Sequence, residues 1–571
     1  MNDMMKHIKI HLLYVKSCER TMGCNVKTIP NKIESIELRH ERLSYPNFIQ
    51  SVGDDCAVVG LRGIFYLHVA DLKSELLQAL YNHIFILANR QCADSSLREP
   101  AVLGESFLYK LFLASRLISD TPGKGKTQEC VFFSYCRPSL KISNFVIDEL
   151  LIEDINIKCS SDETLARGRK FSPGEIINTE EVDKLSDFQF GLLGEEFHLD
   201  LGATLSAPVS GEGNFSTDDE NTRLLSWSGH CDTYSESMAI ACLEGLERLA
   251  GAGMPDFVTM QGDKFLEVPK RQQSLVAGEN YLTKEKVYFR TSDIFYGGVR
   301  EADTRPETSN GCASGATIEE AVLFGALEVV ERDAFLMTWY SGEAPVKLII
   351  DNRFSRLWEK TRRAFLYGIK VSFYYCQSAI GFPVIVAVGE TVDSIRLTFG
   401  SACDISAITA AESALDEVCS FLPNRQKQYF AKSERAEYLG SNPEKVMTAE
   451  DHWLLYASSE GPNLASNFCE NVDSNTLTLE EVESKIRDSM TLTGEYAPFT
   501  ILQKQMSKYN YRLLVFNETL KRQASLGLFS VRVVIPDLVP LDFGWLNQRI
   551  WKHPRFTEKH FKRNLIPHPL S

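Results

Sequence analysis

The chain has 571 residues, enough for about two to four domains. Hydrophobic residues make up 44% and charged residues 24%, an ordinary globular balance that excludes a mainly disordered or fibrous protein. With 61 Lys plus Arg against 76 Asp plus Glu the net charge is −15, which repels phosphate backbones and anionic lipid. Neither nucleic acid nor a membrane surface is therefore an expected partner.

The first residues, MNDMMKHIKIHLLYVKSCER, alternate as a strand does and lack a small-residue cleavage site. No run reaches about 18 consecutive apolar residues, so no membrane-spanning helix is expected. The 14 cysteines run from Cys18 to Cys469 without a CxxC pair, which points to free thiols in a reducing cytoplasm. Cys130 and Cys136 have poor zinc spacing and read as buried thiols on a strand.

Residues 1–185 alternate strand and helix signals and are read as a small α/β domain. CAVVGLRGIFYLHV and ECVFFSYC are strand-like, and the stretches around 72–90 and 104–119 are amphipathic helices. The polar stretch 160–186 is the connector, and 208–222 is a loop just inside the next domain. Residues 195–571 are read as one large α/β (α+β) domain, with strands at VYFRTS, VKLIID, VSFYYC, PVIVAVG and SVRVVIP. Three acidic helices separate them.

Two of these helices echo each other. LEGLER at 243–248 and LEVVER at 327–332 share the pattern L-E-x-x-E-R. Positions i, i+3 and i+4 share a helix face, so Glu244, Glu247 and Arg248 project together, as do Glu328, Glu331 and Arg332. The neighbours are apolar, and a buried carboxylate is costly unless it is paired or metal-bound. A solvated i, i+4 pair explains one such helix, but two copies in apolar surroundings point to a polyacidic cage for Mg²⁺. The arginines relieve its self-repulsion and suit phosphate. Thr317 and Glu320 form a capping box at the start of the second helix, after the small-residue run SNGCASGA. A third helix from Thr409 repeats the plan with Glu412, Asp416 and Glu417.

Two other motifs are decoys. PGKGKT at 122–127 has Asp120 where a phosphate loop needs its first glycine, and a β-like run follows it. Gly251 and Gly253 in LAGAGMP fit a helix C-cap and turn.

SNGCASGATIEEAVLFGALEVVERDAF resembles the signature of the YcaO family. SGHCDTYSESMAIACLEGLERLAG resembles that family's first acidic helix. VRVVIPDLVPLDFG and the terminal PHPLS resemble the C-terminal half of its peptide-modifying members, so the likeness runs from about 200 to 571. It implies ATP and Mg²⁺ as cofactors. Glu244, Glu328 and Glu331 fall on metal positions, and Glu247, Glu320, Arg332, Arg248 and His230 on nucleotide positions. Three features depart from the pattern: Ala316, Ser420, and the lack of any Lys between Lys184 and Lys264.

The resemblance implies an azoline-forming cyclodehydratase that acts on Cys, Ser or Thr of a ribosomally made precursor peptide with a leader. A hydroxyl or thiol attacks the preceding carbonyl, and ATP converts the carbonyl oxygen into a leaving group. The extended tail is expected to enter the site, with Pro567, His568, Pro569 and Ser571 taking part and either His568 or the terminal carboxylate moving the proton. Residues 1–185 resemble a reduced adenylation-type or docking domain, too small to hold a complete leader-binding module. A separate leader-binding protein is thus an expected partner, with a flavin-dependent dehydrogenase downstream and a second copy of the chain as further partners. The alternatives are a thioamide-forming relative and a non-catalytic docking scaffold.

Overall fold

The computed structural model describes the backbone of six strands within 48–146 and scattered positions between 182 and 201. It then describes 205–216, 222–252, 259–261, 264–266, 275–296, 308–391, 396–469, 476–490, 497–520, 523–524 and 527–570 apart from 560. The N-terminal strand expected at HIKIHLLYV and the two helices expected around 72–90 and 104–119 lie outside these residues, except Arg90, which is in a strand.

Strands β1 (Phe48–Val52), β2 (Asp55–Val59), β3 (Gly63–His68), β5 (Thr127–Ser134) and β6 (Leu140–Val146) form one antiparallel sheet in that order. The apolar run CAVVGLRGIFYLHV thus holds parts of two strands, β2 and β3. Thr127, the last residue of PGKGKT, opens β5, so a strand stands where a phosphate loop needs a helix. Strand β4 (Arg90–Gln91) pairs with β8 (Val209–Ser216), which also pairs with β7 (Glu196–Leu199) and β9 (Thr222–Gly229). The β4–β8 ladder joins a segment of the first 185 residues to the chain beyond 195.

Past β10 (Thr259–Gln261) and β11 (Lys264–Leu266), two five-stranded sheets follow. The first holds β12 (Leu275–Asn280), β13 (Lys286–Arg290), β14 (Cys312–Gly315), β20 (Leu514–Asn517) and β21 (Phe529–Val534), in the order β13-β12-β20-β21-β14. The second holds β15 (Val346–Ile349), β16 (Lys370–Gln377), β17 (Pro383–Glu390), β18 (Leu397–Cys403) and β19 (Thr476–Thr478), in the order β18-β17-β16-β15-β19. Every residue of β17 but Glu390 is buried, so it reads as a continuous apolar run without alternation.

Helix α1 (Tyr234–Gly251) packs on β8 and β9. Helix α2 (Ile318–Ser341) packs on β14 and β21 of one sheet and on β16, β17 and β18 of the other. A helix covered on both sides must be apolar nearly all round, and its buried residues do run from Glu319 to Ser341. It ends at Gly342, whose left-handed φ of 68° makes the cap. Helix α3 (Ser355–Leu366) packs on β16, and α4 (Ala407–Ser441) covers β17 and β18. Helix α5 (Ala449–Ala457) packs on α4. Among the described residues no helix is long and apolar enough to cross a membrane, and the described cysteines are free thiols.

Candidate active site

Each acidic helix follows a strand, and each binds that strand's backbone with one carboxylate. Glu244 of α1 accepts from Ser228 N–H of β9 at 2.7 Å, 16 residues back. Glu328 of α2 accepts from Gly311 N–H, just before β14, at 2.8 Å, 17 residues back. Glu417 of α4 accepts from Ser401 N–H of β18 at 3.0 Å, again 16 residues back. Gly311 is required where it stands. Its φ is +85°, and a Cβ there would sit 2.3 Å from the Val533 carbonyl oxygen.

The arginines close onto these acids. Arg248 Nη2 lies 2.6 Å from Glu244 Oε1. Arg332 reaches Glu328 at 3.7 Å and Glu331 at 3.1 Å. Ser401 joins the second helix to the third, because its hydroxyl donates to Glu331 Oε1 at 2.6 Å while its N–H serves Glu417. Burial pushes the Glu331 carboxyl up to about 7, against the pull of Arg332 and with further push from Glu417 and Glu328. Burial also pushes Glu244 up, but Arg248 and Ser228 N–H outweigh it and hold Glu244 below its ordinary value. Helix α1 also packs on β14 and β21, the strands that α2 covers, so the two units are neighbours, and Arg332 feels the Arg248 charge. The Nε atoms of both arginines are buried with no hydrogen-bond partner.

The other expected residues take varied places. His230 follows β9, with its ring 5.8 Å from Phe421 of α4 and edge-on to it. Burial lowers its affinity for a proton, opposed by Glu244 and Asp416. Glu247 acts on Arg248 and on the buried Tyr296 and Cys312. Glu320 sits two turns before Glu328. Thr317 caps its N–H, but its carboxylate accepts from Ala316 N–H at 2.9 Å, one residue earlier than a full capping box requires. Ser420 is buried, and its hydroxyl donates to the Glu417 carbonyl at 2.9 Å. The third helix departs from the expected plan. Glu412 and Asp416 pair instead with Arg356 and Lys360 of α3, Glu412 with Arg356 at 2.9 Å and Asp416 with Lys360 at 2.5 Å. Glu417 is turned about 100° from Asp416 and so faces the site.

The C-terminal tail is buried from Pro567 to Leu570; Ser571 lies outside the described residues. Trp339 Nε1 donates to the Ile566 carbonyl at 2.8 Å, and Tyr456 OH donates to the Pro567 carbonyl. His568 N–H donates to Tyr340 OH at 3.3 Å. The His568 ring is 1% exposed, and its Nε2–H donates to the Asp542 carbonyl at 2.8 Å. Burial, then His452, holds this imidazole neutral, and Arg332 of α2 adds to the effect. The side chain is held as an anchor.

The sequence reading overlooked Ser401, His452, Tyr456, Trp339 and Tyr340. Ser401 carried a usable signal: it is a hydroxyl residue in an apolar strand, 16 residues before an acid on the next helix, as Ser228 is.

A family model described as YcaO cyclodehydratase, ATP- and Mg²⁺-binding, matches residues 268–539. The chain carries a YcaO cyclodehydratase domain. With that domain come ATP and Mg²⁺ as cofactors and ATP-dependent cyclodehydration as the reaction class. The matched stretch holds the second and third acidic helices of the YcaO site and begins after the first. Among solved structures, a heterocyclase in complex with substrate and cofactor has the same fold, with TM-score 0.54 at 15% identity over 92% of this chain and 76% of that one. The heterocyclase TruD aligns with TM-score 0.47 at 14% identity, over 92% of this chain and 73% of that one. YcaO from Methanopyrus kandleri, bound with AMPPCP and Mg²⁺, aligns with TM-score 0.45 at 20% identity, over 65% of this chain and 92% of that one. No curated protein matches the sequence.

The donor set of the YcaO domain fits both cofactors. Hard carboxylate oxygens suit Mg²⁺, and partly buried guanidiniums with unpartnered Nε atoms suit phosphate. Among the described residues, no three His, Cys, Asp or Glu side chains stand close enough to hold a metal ion by themselves. Magnesium needs no such cage, since one or two carboxylates with phosphate oxygens and water suffice.

Proposed function

We propose that this enzyme converts Cys, Ser or Thr residues of a ribosomally made precursor peptide into thiazolines or oxazolines. The substrate's thiol or hydroxyl attacks the preceding amide carbonyl carbon. ATP supplies the phosphoryl group that lets the former carbonyl oxygen leave as phosphate. The net change is the loss of one water per ring.

In this reading Glu244, Glu328, Glu331 and Glu417 serve Mg²⁺ one or two to an ion, with phosphate oxygens and water completing each shell. Arg332 and Arg248 bind phosphate oxygens, with Glu247, Glu320 and His230 around the nucleotide. Their fixed charges act mainly by positioning and by offsetting charge on the transferring group. Pro567, His568 and Pro569 hold the tail in place. A leader-binding protein presents the peptide, and a flavin-dependent dehydrogenase acts on the product. The observation that carries this reading is the burial of Pro567–Leu570 against Trp339 and Tyr340, on the same helix as Glu328, Glu331 and Arg332.

Glu331→Gln keeps the shape of the site but removes its charge. Peptide-dependent ATP consumption, followed as phosphate release with precursor peptide and leader-binding partner present, should be abolished in a folded protein. Turnover at the wild-type rate would sink the assignment of the acidic helices.

A further inference from the structure

We infer that His452 is the positioning residue of the C-terminal tail, fastening it by its main chain to α5 and to the 542–544 loop. The inference rests on the reading that the tail works at the nucleotide helices.

His452 is completely buried. Gly544 N–H donates to its Nε2 at 2.9 Å, so Nε2 carries no hydrogen. The hydrogen of the neutral ring is then on Nδ1, which lies 2.5 Å from the His568 carbonyl oxygen and donates to it. One ring therefore ties the tail and the loop to one helix, and only the tautomer with Nδ1 protonated satisfies both bonds. The tail returns the tie: the His568 ring stacks 4.2 Å from the His452 ring, tilted by 33°, and its Nε2–H reaches the Asp542 carbonyl of the same loop. The loop itself is braced, since the Asp542 carboxylate accepts from Arg549 N–H and Nε, each at 2.8 Å.

The sequence of the tail suits this arrangement. Proline has no N–H, so Pro567-His568-Pro569 offers three carbonyls and a single N–H. A surface that grips it must supply donors. Helix α5 supplies two on one face, four residues apart: His452 for the His568 carbonyl and Tyr456 for the Pro567 carbonyl. The one tail N–H goes to Tyr340 OH. Burial of His452 favours the neutral ring that this pattern needs.

Two substitutions separate the two bonds. Asn at 452 can place a donor where Nδ1 lies and so keep the tail bond. Gln at 452 reaches the Nε2 position, keeps an acceptor for Gly544, and leaves the His568 carbonyl without its donor. The full-length enzyme, His452→Asn, His452→Gln, Tyr456→Phe and a chain ending at Ile566 would be compared. The readouts are release of tail residues by carboxypeptidase, kcat and KM for ring formation, ATP affinity by calorimetry, and Tm. His452→Gln should lose tail residues about tenfold faster and fall about tenfold in kcat, with ATP affinity unchanged. His452→Asn should stay close to wild type in both, and Tyr456→Phe should fall between them. Equal tail protection in wild type and His452→Gln would overturn the inference, as would equal losses in the Asn and Gln variants. The chain ending at Ile566 tests the tail's function separately: ring formation at the wild-type rate there overturns the role of the tail and leaves the carboxypeptidase result to judge the latch.

Discussion

The acidic site and the seat of the tail are built on opposite principles. The site repeats one local device three times, a strand whose N–H binds an acid 16 or 17 residues later on the next helix. On α1 and α2 an arginine follows one turn after that acid; on α4 the same position holds Phe421. The seat repeats nothing. Trp339 and Tyr340 come from α2, His452 and Tyr456 from α5 and Asp542 from a late loop, and each shares one hydrogen bond with the tail. Their separations from the tail range from 26 to 228 residues. Each unit of a repeated local device is set by its own short stretch of chain. A seat assembled from distant single contacts depends on the whole fold.

Deleting Pro567 to Ser571 tests this contrast most strongly. Ring formation, counted as waters lost per peptide by mass spectrometry, should fall by orders of magnitude. ATP affinity by calorimetry should stay within about twofold, because the three strand–helix units are untouched. A parallel loss of ATP binding would mean that site and seat are one unit.

Ser401→Ala is expected to have a smaller effect. It removes the hydroxyl that serves Glu331 but keeps the N–H that serves Glu417. Loss of one buried hydrogen bond to a carboxylate should weaken Mg²⁺-dependent ATP binding about tenfold. A change below twofold would show that the link between the second and third helices does not shape the site.

The smallest effects are in pH dependence, and the two regions should slope in opposite directions. Glu331 is raised from 4.5 to about 7, mainly by burial. Between those values the folded state binds more protons than the unfolded one, so its contribution to stability is lost as pH rises. His452 is lowered from 6.5 to about 4, again by burial, against the Asp451 charge and its bond to His568. There the unfolded state binds more protons, so the contribution is present above 6.5 and is lost as pH falls toward 4. Thermal melts of the nucleotide-free enzyme should show Glu331→Gln removing part of the falling slope between 4.5 and 7. His452→Asn should remove part of the rising one between 4 and 6.5. If either variant kept the wild-type profile, the burial assigned to that residue would be wrong.

The sequence by itself determined the local part of this protein. The spacing of Glu244, Glu247 and Arg248, and of Glu328, Glu331 and Arg332, foretold two acidic helix faces, because helical periodicity converts spacing directly into a shared face. Runs such as PVIVAVG foretold strands for a similar reason, as did the β-like run after PGKGKT that ruled out a phosphate loop. The tertiary structure decided which acids meet which partners. Helical spacing in TAAESALDEV turns Glu417 about 100° from Asp416, but only packing against α3 on one side and β18 on the other decides which face meets the site. The role of His568 was likewise beyond local reading. An imidazole near a chain end reads equally well as a base or as an anchor, and only burial beside His452 with Nε2–H on the Asp542 carbonyl makes it an anchor. Local periodicity is set by bond geometry along the chain, whereas burial and pairing of charges depend on which distant segments the fold brings together.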